Sequence, residues 1–133
     1  MPGWGVIPSI RVHDMAEALA FYTGRLEFTL DSGGEGSTNS SLTRGDARVM
    51  IETAADHYGD AYNVAIRERL GTQSSIALYI EAEDLTAFHS RLSASGAVRI
   101  IDPLAERAWS QEEFTVEDLE GNWLTFWRKP GRA

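Results

Sequence analysis

The sequence predicts an α+β fold built from two βαβββ modules. The first observation is a repeat: Arg11–Tyr22 and Glu81–Leu92 both read as a strand end, an Asp and then an amphipathic helix. The second is a pair of aromatic and β-branched runs, Phe114–Val116 and Trp123–Trp127, on either side of an acidic turn. The third is a regular alternation of apolar and polar residues along the strands, which predicts sheets with two different faces.

The first module is expected to span about residues 5–56. Asp14 stands directly before Met15–Tyr22, whose apolar residues recur at helical spacing, so we predict that Asp14 caps this helix. A Gly-rich stretch at residues 33–36 predicts a loop, and residues 44–46 predict the turn of a hairpin. The strands predicted in this module are Val6–Val12, Glu27–Leu30, Ser41–Thr43 and Arg48–Glu52.

The second module is expected at about residues 72–129, after a connecting segment at about 57–71. Asp84 is predicted to cap the helix Leu85–Leu92, and Gly96 to end it. In the connecting segment, Tyr62, Ile66 and Leu70 have the spacing of a short helix. The predicted strands are Ser75–Glu81, Val98–Ile101, Phe114–Val116 and Trp123–Trp127. We expect one domain, residues 1–133, because this length buries a sizeable core.

The two phases of the strands differ in character. One phase is apolar and is expected to pack beneath the helices, each buried large aliphatic contributing roughly 1.5–3 kcal/mol. This predicted core consists of Ile10, Val12, Val49, Ile51, Ile76, Leu78, Ile80, Leu124 and Phe126. The opposite phase is too polar for a core and too aromatic for an ordinary wet surface. It holds Ser9, Arg11, Arg48, Met50, Glu52, Ser75, Ala77, Tyr79, Trp123, Thr125 and Trp127.

Composition excludes several classes of function. The formal net charge of −8 and the single Lys disfavour nucleic acid as a partner, because phosphate binding requires clustered basic residues. No apolar run approaches the ~20 residues of a membrane span, and the N-terminus lacks the pattern of a secretion signal. The chain has no Cys, which excludes disulfides and thiolate sites and fits a cytoplasmic protein. A small molecule, and a cationic one in particular, is the expected ligand.

Two motifs connect this chain to a known family. The C-terminal stretch has the form Trp-x3-Glu-Phe-x3-Asp-x2-Gly-Asn-x3-Phe from Trp109 to Phe126, and the first helix has Val-x-Asp-x3-Ala-x2-Phe-Tyr from Val12 to Tyr22. The chain resembles the vicinal oxygen chelate superfamily of glyoxalases, bleomycin-resistance proteins and extradiol dioxygenases. Trp109 and Glu113 look most similar to the bleomycin-resistance branch. The resemblance covers about residues 5–129 and implies curved sheets around a ligand-binding cup.

The resemblance also implies which residues line the cup and how the chain assembles. The predicted lining consists of Arg11, Arg48, Met50, Glu52, Tyr79, Trp109, Glu113, Trp123 and Trp127. The alternative is that Trp123 and Trp127 fill a gap between the sheets or a dimer seam. Close relatives pair their modules across two chains, and open sheets need their edges covered, so we expect a homodimer.

Superfamily enzymes hold a divalent metal with His, Gln or Glu at matching strand positions. In this chain those positions fall on Ile7, Glu52, Ala77 and Thr125, of which only Glu52 is a good ligand, and three or four are needed. His13, His57 and His89 are interpreted as solvated surface residues rather than as ligands. We therefore predict no family-type metal site and no cofactor.

These residues leave two classes of function open. The favoured one is a non-catalytic protein that sequesters a cationic or aromatic antibiotic or metabolite, with an acidic rim beside tryptophans binding the cation by cation–π contact. The other is a lyase, isomerase or dioxygenase of the same superfamily with a non-standard site. In that case Glu52 would be the general base; a salt bridge to Arg11 or Arg48 is the favoured alternative for this carboxylate.

Overall fold

The computed structural model describes residues 6–53, 60–69 and 77–129. The chain divides into two compact units, Met1–Gly71 and Thr72–Ala133. Each unit contains one mixed four-stranded sheet. Among the described residues, no helix is long and apolar enough to cross a membrane.

The first unit is a βαβββ module, as predicted. Its strands are β1 Ser9–Val12, β2 Thr29–Ser32, β3 Asn39–Arg44 and β4 Ala47–Thr53. They lie in the order β1-β4-β3-β2, with β1 parallel to β4 and the other neighbours antiparallel. Helix α1, Met15–Leu19, follows β1, and helix α2, Asp60–Arg69, follows the sheet. Helix α2 lies where the connecting helix was predicted; Leu70, its last predicted position, is outside the described residues.

The second unit repeats the βαβββ order and confirms the predicted fold class. It consists of β5 Ala77–Glu81, α3 Leu85–Ser95, β6 Arg99–Glu106, β7 Glu112–Glu117 and β8 Trp123–Arg128. The sheet order is β5-β8-β7-β6, with β5 parallel to β8 and the other neighbours antiparallel. The predicted start of β5, at residues 75 and 76, lies outside the described part of the chain.

The start of the first helix follows the predicted capping rule, but its end does not follow the predicted geometry. The carboxylate of Asp14 accepts a hydrogen bond of 2.8 Å from the backbone N–H of Glu17, which is an N-cap. After Leu19 the chain continues as a π-helical segment, Ala20–Arg25, in which the N–H of Leu26 donates to the carbonyl of Phe21 at 3.1 Å. The predicted α-helix therefore ends three residues early.

Helix α3 begins without the side-chain cap that was predicted. The Asp84 side chain makes no capping hydrogen bond; its carboxylate instead binds Arg91 at 2.9 Å, two turns along the helix. The other end agrees with the prediction, since Gly96 closes α3 in the left-handed conformation, with φ of 65°.

The ends of several strands were predicted wrongly. The largest difference is at β6, which runs on to Glu106 and includes Pro103, whereas the sequence predicted an end at Ile101. Pro removes a backbone donor, and this is tolerated because β6 is the edge strand and its pairing with β7 is interrupted twice by register shifts. The strand predicted at Glu27–Leu30 lies instead at Thr29–Ser32.

The core lies on one face of each sheet and confirms the predicted phase. Of the predicted core, Leu78 is half-buried, Ile76 lies outside the described residues, and the rest are buried. In the second unit the ring of Phe88 on α3 packs against Phe126 and Phe114, with centroid distances of 4.9 and 5.6 Å. Helix α3 therefore covers the face of the sheet that carries Phe114 and Phe126. We call the opposite face of each sheet, the one turned away from α1 or α3, its helix-free face.

Candidate functional site

The helix-free face of the second sheet is acidic and aromatic. Strand pairing places Glu113 opposite Trp127, Thr115 opposite Thr125, and Glu117 opposite Trp123. On the neighbouring strand, Tyr79 lies opposite Thr125, and its side chain is 59% exposed. The hydroxyls of Thr115 and Thr125 bond to each other at 2.8 Å in the middle of this face. The alternation that buries Phe114 and Phe126 therefore puts aromatic rings and carboxylates on the other side.

Two indoles on this face are held by carboxylates of β7. The Nε1 of Trp109 donates to Oε1 of Glu113 at 3.0 Å, and the Nε1 of Trp123 donates to Oε2 of Glu117 at 3.0 Å. Trp109 is 60% exposed and Trp123 45% exposed, so each ring has surface in water although its N–H is satisfied. An exposed aromatic ring held by a charge-assisted hydrogen bond is preorganised for stacking on a ligand.

The turn between β6 and β7 positions Trp109. The N–H of Ser110 donates to the carbonyl of Arg107 at 3.0 Å, and the N–H of Arg107 donates to the carbonyl of Gln111 at 2.8 Å. Ser110 has a φ of 62°, an uncommon conformation for a residue other than Gly. This tight turn brings the indole of Trp109 back to Glu113, four residues further on.

The helix-free face of the first sheet is a network of charged and amide groups. The carboxylate of Glu52, 5% exposed, lies 3.3 Å from Nε of Arg11 and accepts a hydrogen bond of 3.0 Å from Nδ2 of Asn39. Arg48 donates to Oγ of Ser41 at 2.7 Å and lies 3.2 Å from the carboxylate of Asp31. Of the two interpretations of Glu52, the structure therefore shows the ion pair, and its partner is Arg11.

The predicted site residues fall into two groups, one in each unit. Arg11, Arg48, Met50 and Glu52 share the helix-free face of the first sheet; Tyr79, Glu113, Trp123 and Trp127 share that of the second, with Trp109 bonded to Glu113. Sequence reasoning missed the polar partners of these residues. They are Asp31, Asn39, Ser41, Arg99 and Glu117. Alternation in β7, which places Thr115 beside Glu113 on this face, would have found Glu117; the others depend on cross-strand register.

A groove of about 570 Å³ lies on the helix side of the first sheet. Its lining is largely apolar and consists of Ala16, Leu19, Ala20, Thr23, Phe28, Leu30, Gly34 and Glu35. The hydroxyl of Thr23 is already bonded to the carbonyl of Leu19 at 2.6 Å. Few polar groups are thus directed into the groove, whereas ligand sites need several to fix orientation.

The residues at the predicted metal-ligand positions do not fit a metal of the family type. Ile7 and Ala77 have no donor atom in their side chains. The carboxylate of Glu52 is bound by Arg11 and Asn39, and the hydroxyl of Thr125 is bonded to Thr115. Within residues 6–53, 60–69 and 77–129, no three His, Cys, Asp or Glu side chains converge in a group that could hold a metal ion.

The histidines differ from one another in environment. His13 is exposed just after β1, and His57 lies outside the described residues. His89 was predicted to be a solvated residue of the outer helix, but it is half-buried. Its Nε2 accepts a hydrogen bond of 3.3 Å from the N–H of Leu104, and its ring packs edge-on against Phe114 at 5.0 Å. Its role is to join α3 to the edge strand β6.

Residues 6–126 match the family described as Glyoxalase/Bleomycin resistance protein/Dioxygenase superfamily. The chain belongs to this superfamily. The matched range contains both sequence motifs and both βαβββ modules except for the last two residues of β8, which confirms the resemblance.

Relatives of this superfamily member include proteins named for antibiotic resistance. Bleomycin resistance proteins of Geobacillus stearothermophilus and Staphylococcus aureus are 24% identical over 127 residues, which cover 92% of this chain and 95% of each relative. These relatives support the bleomycin-resistance branch of the superfamily, which the stretch from Trp109 to Phe126 predicted.

Solved structures show the same fold. One is a bleomycin-binding protein from bleomycin-producing Streptomyces verticillus in complex with copper(II)-bleomycin, with a TM-score of 0.61, 24% identity, and coverage of 95% of this chain and 96% of that one. Another is a bleomycin resistance determinant encoded on the transposon Tn5, with a TM-score of 0.67, 18% identity, and coverage of 94% and 97%.

Proposed function

We propose that this superfamily member is a non-catalytic protein that binds a cationic or aromatic small molecule, such as an antibiotic, on its helix-free faces. The observation that carries the proposal is the pair of exposed indoles, Trp109 and Trp123, whose N–H groups are held by Glu113 and Glu117. Each ring offers a flat apolar surface beside negative charge. Stacking and cation–π contacts on such rings contribute roughly 0.5–2 kcal/mol each.

The charge of the whole chain supports a cationic ligand. The formal net charge is −8, so the protein attracts cations over a distance of about the Debye length, roughly 8 Å at physiological salt. The names of the relatives agree with a ligand of this kind, because bleomycin resistance proteins are among them. The helix-free face of the first unit is a proposed binding surface of its own, on which Arg11, Arg48 and Glu52 supply polar groups and Met50 an apolar contact.

Binding without a metal held by the protein is part of this proposal. It is supported by the engagement of Glu52 with Arg11 and Asn39, which leaves the carboxylate in an ion pair rather than directed at a substrate. A general base must reach the proton that it removes, and a carboxylate in such an ion pair is poorly placed to do so. A ligand bound on these faces would therefore be released chemically unchanged.

The test is a titration of the purified protein with metal-free bleomycin and with copper(II)-bleomycin, followed by tryptophan fluorescence and calorimetry. We expect saturable binding of at least one form, unchanged after the protein has been treated with a chelator and dialysed. Mass spectrometry of the recovered ligand is expected to show the starting compound. Turnover of the ligand, or binding that returns only when Zn²⁺, Ni²⁺, Mn²⁺ or Fe²⁺ is restored to the protein, would support the enzyme alternative instead.

We also propose that the protein is a homodimer. Each sheet is open, and within its own unit β1 and β2 are the outer strands of the first sheet, as β5 and β6 are of the second. All four residues of β2 are exposed. Outer strands present unpaired backbone groups that invite a partner, and a second copy of the chain is the simplest one.

A further inference from the structure

We infer that the ligand of the second sheet carries two separate groups, a planar cation and a neutral aromatic ring, about 13 Å apart. This inference rests on the proposed function and adds the chemistry and spacing of the ligand. It follows from two clusters on the helix-free face. We call Trp109, Glu113 and Trp127 the acidic station, and Trp123, Glu117 and Arg99 the neutral station.

At the acidic station the negative charge acts through an indole. Glu113 is only 6% exposed, so its carboxylate has little surface for direct contact with a ligand. Its Oε1 accepts the Nε1–H of Trp109 at 3.0 Å, and the ring of Trp109 is the exposed part of the pair. An anion at the N–H edge increases the negative charge on the ring face and strengthens its attraction for a cation. Glu113 is therefore a positioning residue, and Trp109 is the contact.

The cation nearest in sequence to the acidic station is turned away from it. Trp127 lies opposite Glu113 on β8. Arg128, the following residue on β8, points to the other side of the sheet, where it binds Glu112 at 3.0 Å and Thr86 on α3 at 2.8 Å. A planar cation over Trp109 and Trp127 would thus lie beside the negative charge of Glu113.

At the neutral station the charge is already cancelled. Oε2 of Glu117 accepts the Nε1–H of Trp123 at 3.0 Å, while Oε1 lies 3.2 Å from Arg99, whose side chain is 74% exposed. The indole of Trp123 is thus held in place as firmly as that of Trp109, but beside an ion pair rather than a lone carboxylate. A neutral aromatic ring stacks on such an indole without meeting net charge.

The spacing of the stations follows from strand geometry. Glu113 and Glu117 are four residues apart on β7, as Trp127 and Trp123 are on β8, and four residues of a strand span about 13 Å. The buried hydroxyl pair of Thr115 and Thr125 lies midway. Because both hydroxyls are satisfied by each other, this pair places no polar demand on a flexible linker.

The probe for this inference is a quinolinium ring joined to a naphthalene ring by a polymethylene linker that is lengthened step by step. We expect affinity, measured by calorimetry, to be highest where the extended linker sets the rings about 13 Å apart. N-methylquinolinium alone should bind about tenfold more weakly than the best of the series. Trp123→Leu should abolish the dependence on linker length, because the indole that receives the naphthalene ring is lost.

A matched pair of variants tests whether the two stations differ in charge. Glu113→Gln keeps an oxygen that accepts the indole N–H, and we expect it to lower the affinity for the best probe about tenfold while leaving that for its neutral bis-naphthalene analogue unchanged. Glu117→Gln makes the same chemical change about 13 Å away, beyond the Debye length, and should change the affinity for the cation less than about twofold. If Glu113→Gln does not fold, Trp109→Leu takes its place, with the same tenfold loss expected.

Nuclear magnetic resonance of the two indole N–H groups gives a readout that needs no ligand. Glu113→Gln should shift the Nε1–H signal of Trp109 and leave that of Trp123 in place, and Glu117→Gln should do the reverse.

The inference would be overturned if Glu113→Gln lost affinity for the charged and the neutral probe equally. It would also be overturned if the affinity did not depend on linker length. Failure of every quinolinium probe while bleomycin binds would overturn it too and leave the proposed function standing. If bleomycin also fails to bind, the proposed function falls with it.

Discussion

At the scale of single residues, the clearest feature is that the side chains of adjacent residues in β8 lie on opposite faces of the sheet. Trp123 is 45% exposed on the helix-free face, and Leu124, the next residue, is fully buried beneath α3. One side chain therefore belongs to the proposed binding surface and the other to the core. Two alanine substitutions one residue apart separate binding from stability.

Trp123→Ala is expected to weaken ligand binding by about 1–3 kcal/mol, because the stacking surface of the indole is lost. The fold should persist, since the ring lies outside the helix-backed core. Bleomycin titration measures the binding loss, and urea unfolding measures stability. Trp123→Phe is the matched control: it keeps an aromatic ring but removes the N–H donated to Glu117, and should lose less affinity.

Leu124→Ala is expected to behave in the reverse way. Removing a fully buried Leu leaves a cavity and should lower the free energy of unfolding by about 2–5 kcal/mol. Ligand affinity at a temperature where the variant remains folded should match that of the wild-type protein. If Trp123→Ala unfolded the protein and Leu124→Ala had no effect, the assignment of the two faces would be wrong.

At the scale of elements, the turn between β7 and β8 shows how one carboxylate organises a hairpin. Oδ1 of Asp118 accepts the backbone N–H groups of Glu120 and Asn122 at 2.9 and 2.7 Å, and Oδ2 accepts the side-chain amide of Asn122 at 3.0 Å. Asp118 is buried, and Gly121 adopts a φ of 86°. The turn thereby sets the register in which Glu117 faces Trp123.

Asp118→Ala should lower the free energy of unfolding by about 2–4 kcal/mol, because hydrogen bonds to a charged acceptor are lost and buried donors are left unsatisfied. Thermal and urea denaturation measure this loss. Asp118→Asn retains one acceptor oxygen and should be intermediate. An alanine variant as stable as the wild-type protein would show that strand pairing alone forms the hairpin.

The loop between β2 and β3 requires a glycine at position 33. Gly33 has a φ of 91°, and a Cβ placed there would lie 2.5 Å from the carbonyl oxygen of Asn39. Gly33→Ala should therefore cost at least about 2 kcal/mol of stability. Gly24→Ala is the control, because that position has open space and no positive φ, and its stability should change by less than about 1 kcal/mol. Equal melting temperatures for the two variants would contradict the steric argument.

At the scale of the whole molecule, the proposed dimer is the main expectation. Sedimentation equilibrium at micromolar concentration should report about twice the chain mass of 14.7 kDa. Dilution should produce a concentration-dependent loss of the dimer rather than a fixed mixture. A 14.7 kDa species across the whole concentration range would contradict the proposal.

The fold class, the core phase and most of the local signals could be predicted from the amino-acid sequence alone. Alternation along β4, β5 and β8 correctly separated the core face from the helix-free face, and Asp14 and Gly96 were recognised as the start and end of their helices. These features depend on one element and its immediate neighbours in sequence. They can therefore be predicted directly from the periodicity of the side chains and from the capping residues.

Which groups meet across strands and turns depends on the tertiary structure. The pairing of Glu52 with Arg11, the register shifts of β6, and the bond from Trp109 to Glu113 all depend on how separate segments are aligned. A shift of one residue in strand register moves every side chain to the opposite face, so such contacts are set by the pairing of whole strands. Both indoles were found from sequence; the carboxylates that hold them acquired that role only through the fold.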